Sequence, residues 1–316
     1  MNIIQNNYGI VNINLMVDDT VKKITKAKRI NTSFFDALES VLIKNEKEAQ
    51  AKYLKECGSF LKFRYFLNNE HTKKLIGANF CKNPLCPVCA WRKHIANQKA
   101  LHEFINKSKN YIYHVVLAVP NTETLTKEQL RELKHNAIAF LKDESGLDAT
   151  NYFLSLEIVY SETGFHPHLH IIIETNCFIK VDETYIKEMS KLWRLYADKL
   201  FTFQHFFTQS ENGFTFYIRG INKSEAKSAS EELTKYVLKP SNFEIVTENI
   251  IEQIYKSISN THLLSAGGTI KKALSKIKTT QKIDESIEQE HLLNNFAFFD
   301  VIFNWLNSEQ TFDILL

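Results

Sequence analysis

Three of the chain's 11 histidines fall within five residues, in the stretch GFHPHLHIII. Side chains two residues apart on an extended chain point to the same face, so His166, His168 and His170 share one face if the strand begins this early. Leu169 and Ile171 would then face the core. Two imidazoles at this spacing can bind one metal ion, whereas a single histidine is more often a solvated residue at a sheet edge. Three histidines in this pattern predict a metal site.

The segment before the histidines supplies a carboxylate. Residues 152–160, YFLSLEIVY, are predicted to form a strand, and the SETG that follows predicts a turn. If the two middle residues of SETG form the tip of a hairpin, Glu157 lies directly opposite His168, with Cβ atoms about 4.5–5.5 Å apart. A set of two histidines and one glutamate suits Mg²⁺ or Mn²⁺ better than a closed zinc site. A β-bulge would shift the register by one residue and turn Glu157 away.

Length and composition describe a globular chain. Its 316 residues, 44% of them apolar, can form one large domain or two smaller ones. The start, MNIIQNNYGIVNINLMVDDT, has neither the basic region nor the cleavage site of a secretory signal. No apolar stretch is long enough to span a bilayer. We therefore expect a cytoplasmic protein.

Charge is unevenly distributed along the chain, although the net charge is only +3. Residues 51–110 carry 12 Lys/Arg against 3 Asp/Glu, while residues 281–316 carry 1 Lys against 7 Asp/Glu. The basic block predicts a surface for an anionic polymer, DNA or RNA. A solvated face without a ligand is the simpler alternative.

The cysteines predict a second metal site. The chain contains Cys57, Cys81, Cys86, Cys89 and Cys177. The segment CPVC within CKNPLCPVC is a knuckle that presents two thiolates to one zinc ion, and a reducing compartment disfavours disulfides. A redox role is disfavoured because no βαβ pattern surrounds the knuckle. The fourth ligand is open, with Cys57 the best candidate and His94 and His71 the alternatives, whereas Cys177 is expected to be an ordinary buried thiol at a strand end.

Two basic helices are predicted beyond the knuckle. The first runs from Trp91 to Asn106, and its Arg92, Lys93 and Lys99 would contact phosphates without reading sequence. The second covers residues 269–282, which contain five lysines and no acidic residue. We expect both helices to lie near nucleic acid.

A further helix places a tyrosine among charged residues. Ser230 is predicted to be its N-cap, glutamates occupy its first turn, and Pro240 marks its end. Glu232, Tyr236 and Lys239 then lie along one stripe. The alternative is a surface salt bridge with the tyrosine packed at the margin.

Metal and tyrosine can act in one reaction. A metal that withdraws charge from a phosphodiester makes its phosphorus electrophilic, and the Tyr236 phenol can attack it and store the bond energy as a phosphotyrosine. Lys239 could stabilise the charge on the phosphoryl group or phenolate, and Glu232 could act as general base for a later attack by water.

These pieces together resemble the replication initiators (Rep) of rolling-circle plasmids in the HUH endonuclease superfamily, and within them the group on small plasmids of Gram-positive bacteria. The family's first motif resembles residues 113–121, YHVVLAVPN, which ends in the typical Pro-Asn pair but lacks the usual threonines. The second resembles residues 166–170, HPHLH, and the third residues 235–239, KYVLK, with Tyr236 following 66 positions after His170. Segments 191–193 (KLW) and 262–268 (HLLSAGG) are similar to family segments without known chemistry. The resemblance covers about residues 57–280.

The resemblance implies an α+β fold, the HUH endonuclease fold, in which a central antiparallel sheet is flanked by helices. The HUH strand would lie in the middle and the tyrosine helix beside it. The family's cysteine-rich N-terminal segment is similar to residues 57–92, which raises Cys57 above the two histidines as fourth zinc ligand. Zinc would be structural, and Mg²⁺ or Mn²⁺ catalytic.

The implied activity is metal-dependent, sequence-specific nicking of one strand at the plasmid's double-strand origin. The enzyme becomes attached to the 5′ end through a phosphotyrosine and leaves a 3′ hydroxyl as primer. Members of this group carry one catalytic tyrosine, matched by Tyr236, with a glutamate four residues earlier, matched by Glu232. The metal ligands would be His168, His170 and Glu157. His166 is either a further ligand or a DNA contact, and Lys235 is expected to contact DNA.

We expect four parts: a helical extension (1–50), a Cys-rich basic zinc segment (51–110), the nicking core (111–245) and a mostly helical C-terminal region (246–316). The extension includes a predicted helix near residues 32–48. The aromatic tail from residue 295 onward is expected to pack on the core, with dimerisation or helicase binding as alternatives.

Candidate partners besides DNA are a host helicase, a polymerase and a second copy of the chain. The competing functions are an HUH transposase or relaxase and a non-catalytic, zinc-dependent DNA-binding regulator.

Overall fold

The computed structural model describes residues 3–6, 9–12, 19–30, 32–68, 72–198, 214–234 and 247–315. The chain divides into two compact units, residues 1–89 with 290–316 as unit 1 and residues 90–289 as unit 2. Antiparallel sheets flanked by helices confirm the α+β prediction. None of the helices in the described ranges has the length and apolar character that a membrane crossing needs. The four-part division remains a prediction, and the two units group its parts differently.

In its described residues, unit 1 combines three helices with a four-stranded sheet and a hairpin. Its helices are α1 (Asp19–Ile30), α2 (Thr32–Lys44) and α3 (Glu48–Lys55). Its strands are β1 (Ile3–Asn6), β2 (Gly9–Asn12), β3 (Phe60–Phe66), β4 (Lys73–Ala78), β10 (Phe298–Leu306) and β11 (Thr311–Leu315). The sheet has the order β11-β10-β3-β4, and β1 pairs with β2. Helix α2 confirms the predicted helix near residues 32–48, but the helical extension opens with a hairpin that the sequence prediction missed.

The C-terminal strands complete the sheet of unit 1. Strand β10 runs antiparallel to β3, with Phe298 opposite Phe66 and Asn304 opposite Phe60. Phe303 is fully buried and packs edge to face on Phe63, with ring centroids 5.6 Å apart. The aromatic tail therefore packs within unit 1, on β3. The prediction of a mostly helical region from residue 246 to 316 is wrong for its end, because alternating apolar residues there form strands.

Unit 2 is built on a five-stranded antiparallel sheet with the order β8-β5-β7-β6-β9. Its strands are β5 (Tyr111–Ala118), β6 (Tyr152–Ser161), β7 (Gly164–Thr175), β8 (Thr215–Gly220) and β9 (Leu264–Ala266). The helices with most of their residues here are α4 (Pro87–Lys107), α5 (Lys127–Asp143), α6 (Glu183–Asp198), α7 (Ala226–Leu233), α8 (Glu248–Ile258) and α9 (Gly268–Asn295). The histidine strand β7 is the middle strand, as the resemblance implied.

One face of this sheet is apolar along its length. Leu169 and Ile171 of β7 point to it and are fully buried. Helix α6 covers this face with Trp193, whose ring lies 5.6 Å from that of Phe140 in α5 and whose indole Nε1 donates to the Ala118 carbonyl at 2.8 Å. The segment KLW therefore has a structural role.

The other face, here called the histidine face, is divided. At one end Ile112, Phe153 and Ile172 form an apolar core under helices α4, α7 and α9. Toward the other end β6 carries Glu157 and β7 carries the three histidines on this face, while His114 of β5 lies opposite Ile172 at the boundary. The apolar end fixes the helices on the sheet, and the polar end leaves side chains available for chemistry.

The segment HLLSAGG docks helix α9 on the edge of the sheet. Strand β9 pairs with β6, and the Gly267 amide donates to the Tyr152 carbonyl at 2.9 Å. A Cβ atom on Gly267 would lie 2.4 Å from the Tyr152 ring, so only glycine fits. The Asn151 side chain accepts from the Thr269 amide at 2.8 Å at the start of α9. The segment therefore acts through packing.

Candidate active site and metal centre

The hairpin of β6 and β7 has the predicted register. Ser161 pairs with Gly164 and Glu157 with His168, without a bulge between them. Gly164 adopts φ +105°, which favours glycine in this tight turn. The turn residues therefore set the register that brings a carboxylate to the histidines.

The three histidines share one face, as their spacing predicts. His166, His168 and His170 are each half-buried, while the residues between them are buried. The rings of His166 and His168 lie 4.5 Å apart between centroids, and those of His168 and His170 lie 6.3 Å apart. Strand alternation thus produces a row of imidazoles on the histidine face.

His170 is held between two partners. Its Nε2 lies 3.1 Å from Oε2 of Glu157, and its Nδ1 lies 3.2 Å from Nε2 of His114. Glu157 is 3% exposed and His114 is 1% exposed, so water screens these contacts little. The sequence prediction did not include His114. Alternation of side chains along the strand would have placed His114 on a defined face of β5. The pairing of β5 with β7, which brings His114 to His170, joins segments far apart in sequence and could not be predicted.

His168 is oriented by the backbone. Its Nδ1 lies 2.9 Å from the carbonyl oxygen of His166, which can only accept, so Nδ1 carries the proton and Nε2 carries the lone pair. Metal-binding histidines are commonly fixed in this way through their second nitrogen. Burial lowers the pKa of His166 below its ordinary value, which favours the neutral ring that a metal ligand requires.

The geometry of His170 and Glu157 fits a shared divalent cation. Adjacent ligands about 2.1 Å from an octahedral ion lie about 3.0 Å from each other, close to the 3.1 Å between Nε2 and Oε2. The ligand atoms of Glu157, His168 and His170 are nevertheless spread more widely than those of a closed metal site. Within the described residues, the four-cysteine group is the one whose ligand atoms all lie within 4.8 Å of one another.

The Pro-Asn segment of the first motif braces the histidine hairpin. Strand β5 runs beside β7, with Ala118 opposite His168. Beyond it Thr122 exchanges two backbone hydrogen bonds with Phe165, of 2.9 and 2.8 Å, and the Asn121 amide donates to the Thr163 hydroxyl. These contacts hold the turn that fixes the register of the candidate site.

The tyrosine-bearing segment is described only up to Thr234. Tyr236, Lys239 and Lys235 lie outside the described residues. Helix α7 ends at Leu233, which packs in the apolar core with Ile172, two residues from His170 on the same face. Glu232 is half-buried in the last turn of this helix.

The predicted start of this helix is wrong. Ser230 is not an N-cap but a fully buried residue within α7, where its hydroxyl donates to the Lys227 carbonyl at 2.8 Å. The capping residues of this helical segment lie earlier in the sequence. Asn222 and Glu225 form a capping box around the short 3₁₀ turn of residues 223–225, which leads into α7. The error arose because serine can occupy a helix interior when its hydroxyl bonds the preceding turn.

The predicted zinc ligands Cys57, Cys81, Cys86 and Cys89 converge in unit 1. Cys57 Sγ lies 3.5 Å from the sulfurs of both Cys86 and Cys89, and Cys81 Sγ lies 3.6 Å from that of Cys89. A disulfide would need about 2.05 Å, whereas tetrahedral zinc with Zn–S bonds of about 2.3 Å places sulfurs about 3.8 Å apart. The cluster could therefore hold zinc.

The electrostatics of the cluster favour a cation. Hydrogen bonding to the neighbouring thiols lowers the pKa of Cys57 and of Cys89, and the same contacts raise the pKa of Cys81 and of Cys86. Four thiolates cannot be accommodated together without a compensating charge. Lys28, which the sequence prediction missed, lies nearby with its Nζ 3.0 Å from the Cys57 carbonyl oxygen.

The remaining candidate ligands lie elsewhere. His94 is outside the thiol cluster and its ring contacts Thr234, while His71 lies outside the described residues. Cys177 is exposed, which corrects the expectation of a buried thiol, because strand β7 ends at Thr175 before reaching it.

The two predicted basic helices, α4 and α9, lie side by side in unit 2. Lys278 donates to Asn97 at 2.7 Å, and an apolar seam joins the helices below this contact. Burial lowers the pKa of Lys278, and the nearby ammonium groups of Lys93 and Lys282 lower it further. These three lysines are here called the lysine cluster. Arg92 and Lys99 are also exposed on α4, seven residues apart along one side.

The fold and the two clusters define the chain as an α+β protein with a tetrathiol centre and a histidine–glutamate centre on a central strand. The family model described as "Replication protein" matches residues 72–312, so the chain belongs to the replication protein family. This confirms the family resemblance inferred from the three motifs.

Curated relatives bear the same description. The chain is 30% identical to protein rep of Staphylococcus aureus over 188 residues, 55% of this chain and 79% of the relative. It is 22% identical to protein rep of Lentilactobacillus hilgardii over 292 residues, covering 84% and 88% of the two chains. A third protein rep, from Streptococcus pneumoniae serotype 2, is 22% identical over 261 residues, 73% of each chain. No solved structure matches the chain.

Proposed function

We propose that this replication protein initiates rolling-circle plasmid replication by nicking one DNA strand through Tyr236 and rejoining it later. The observation that carries the proposal is the row of histidines on the central strand β7 with Glu157 beside it on β6, on the face where helix α7 ends at Leu233, three residues before Tyr236. Membership of the replication protein family supports it, as does the relatives' shared description.

The candidate site residues have separate roles in this reaction. His168, His170 and Glu157 hold Mg²⁺ or Mn²⁺, with His166 as a further ligand or DNA contact, and His114 orients His170 through its Nδ1. When bound, the cation withdraws electron density from the scissile phosphate. Without the cation, the buried Glu157 carboxylate contacts His170 Nε2, so the two ligand atoms are already adjacent before the cation and DNA arrive.

The proposed step is a transesterification. The Tyr236 oxygen forms a bond to phosphorus while the bond from phosphorus to the 3′ oxygen breaks, and the proton lost by the phenol is balanced by the one gained at the 3′ hydroxyl. Lys239 stabilises charge on the phosphoryl group or phenolate. Glu232 activates water for the cleavage that ends a round of replication. The free 3′ hydroxyl is then the primer for a host polymerase, with a helicase opening the duplex.

In this proposal, basic side chains contact the DNA and the zinc-binding turn supports the helix that carries them. Zn²⁺ on the four cysteines stabilises the turn that leads into helix α4, whose Arg92, Lys93 and Lys99 contact phosphates. Lys235, outside the described residues, adds a contact next to the tyrosine. The lysine cluster widens this surface with two residues from α9.

The test is a nicking assay on supercoiled plasmid that carries the native replicon, with Mn²⁺. The wild-type chain is expected to give nicked circles and a covalent protein–DNA adduct, and Tyr236→Phe neither, with DNA binding retained. Adduct formation by Tyr236→Phe would move the nucleophile to Tyr217, which is exposed on the histidine face, or to Tyr255 of α8. Binding without any nicking would favour the non-catalytic regulator. Nicking independent of the replication origin would favour a transposase or relaxase.

A further inference from the structure

His94, considered from sequence as a zinc ligand, instead contacts the end of the tyrosine-bearing segment. Its Nδ1 lies 2.6 Å from the carbonyl oxygen of Thr234 and 2.9 Å from the Thr234 hydroxyl oxygen. Both residues belong to unit 2, and Thr234 is 3% exposed. Thr234 is the C-cap of helix α7.

The direction of these hydrogen bonds follows from their chemistry. A carbonyl oxygen can only accept, so the His94 Nδ1 carries the proton. The Thr234 hydroxyl donates to the Ser230 carbonyl at 2.7 Å, so its oxygen accepts from His94. One imidazole N–H therefore serves two oxygens at a helix C-terminus, where carbonyl groups lack partners within the helix.

Other contacts keep His94 in register with helix α7. One turn farther along α4, Gln98 donates to Glu231 at 3.0 Å. Beneath these polar contacts, Ala100 and Leu101 of α4 belong to the same buried core as Leu233 of α7. The apolar core sets the distance between the two helices, and His94 fixes the position of the last residue.

We propose that His94 is a positioning residue for the nucleophile, which it serves by anchoring the point where the chain leaves helix α7. This inference rests on the proposed function, since it takes Tyr236 as the nucleophile. Two residues of extended chain reach at most about 7 Å. A fixed Thr234 therefore limits how far the chain can carry the Tyr236 backbone from this anchor, and misplacement of a reacting group by about 1 Å can cost roughly 100-fold in rate.

The experiment measures single-turnover formation of the covalent adduct with the full-length chain. The substrate is a labelled oligonucleotide that contains the mapped nick site, at saturating concentration with Mn²⁺. His94→Ala is expected to lower the rate roughly 10- to 100-fold, with unchanged oligonucleotide affinity and zinc content. His94→Asn retains an N–H donor near Nδ1 and should recover most of the rate. His102→Ala is the matched control, because His102 lies on the same helix and makes a local hydrogen bond to Asn106 at 3.0 Å, and it should react like the wild type.

Two results would overturn the inference. Wild-type rates for His94→Ala would show that the contact does not position the nucleophile. Parallel loss of zinc, affinity and rate without recovery in His94→Asn would assign His94 to folding or metal binding. Tyr236→Phe, run in parallel, separates these failures from failure of the proposed function, since an adduct with that variant contradicts the nucleophile whatever His94 does.

Discussion

Glu157 and His168 are direct partners across the β6–β7 hairpin. This pairing brings a buried carboxylate to the row of imidazoles, where its Oε2 contacts His170. A four-residue turn thus determines which acid enters the candidate metal site.

The first prediction concerns this carboxylate. Glu157→Gln keeps the size of the side chain but removes its charge, so we expect Mn²⁺ to bind at least about tenfold more weakly. Isothermal titration with Mn²⁺ alone measures this, independently of nicking. Glu162→Gln, at the exposed tip of the same hairpin, is the control and should bind Mn²⁺ like the wild type. Equal affinities for Glu157→Gln and the wild type would remove Glu157 from the ligand set.

The second prediction concerns the thiol cluster. The purified chain should contain one zinc ion, and Cys86→Ser should lose it because three thiolates and a hydroxyl bind zinc poorly. Elemental analysis measures the zinc content, and thermal unfolding should show a less stable protein after chelation, since metal binding contributes to folding. Cys177→Ser alters the exposed cysteine outside the cluster and should keep the metal. A zinc-free wild-type protein with full stability would contradict the assignment.

The third prediction concerns the acid stability of unit 1. Asp300 accepts two hydrogen bonds from Arg64, of 2.7 and 2.9 Å, and lies 3.0 Å from Lys62. The Arg64 hydrogen bonds lower the pKa of Asp300 to about 2, below its ordinary 3.8. A depressed carboxyl pKa stabilises the fold above the unfolded value, and this contribution is lost as the pH falls through the folded value.

Asp300→Asn should therefore destabilise the protein by about 1–2 kcal/mol at neutral pH, given partial screening by water. The difference from wild type should shrink as the pH falls from about 4 to about 2. Urea unfolding across this range measures both effects, with Asp313→Asn of the neighbouring strand β11 as control. A difference independent of pH would mean that packing, not charge, accounts for the loss.

The fourth prediction concerns the lysine cluster. Each phosphate contact contributes about 0.9 to the slope of log affinity against log salt concentration for duplex DNA. Replacing Lys278 by Gln should weaken binding uniformly across sequences and reduce that slope by about 1. Lys187→Gln, exposed on helix α6, should leave the slope unchanged. An unaltered slope for Lys278→Gln would place the DNA elsewhere.

The fifth prediction separates the two glutamates at the end of helix α7. Glu232→Ala should form the first adduct at the wild-type rate but release it slowly, because water lacks its general base. Glu231→Gln changes the charge of the neighbouring residue but keeps an oxygen that can accept from Gln98, and it should release DNA normally. Pulse-chase measurement of adduct decay distinguishes them. If Glu232→Ala slows both steps equally, its role is structural.

Local signals were sufficient for part of this structure. The turn and the strand alternation around GFHPHLHIII predicted the register, the shared face and the pairing of Glu157, because all three depend on adjacent residues. The cysteine spacing likewise predicted three thiols of the cluster, and Cys57 was chosen through the family resemblance.

Contacts between distant segments could not be predicted in the same way. His114 reaches His170 through a strand pairing that no local pattern specifies, and His94 reaches Thr234 across 140 residues. The strands at the C-terminus were missed because their pairing partner β3 lies far away in sequence. Ser230 was misassigned because a residue type suited to a helix start also fits a buried helix interior.

The pairing of β10 with β3 has a consequence for the order in which the protein can fold. Arg64 and Asp300 are 236 residues apart, and all of unit 2 is encoded between them. During translation β3 therefore has no β10 to pair with while residues 90–289 emerge from the ribosome, and the backbone N–H and C=O groups of that edge stay unpaired by β10. An unpaired strand edge can join other chains, so conditions that slow synthesis of the last strands should favour aggregation of nascent chains.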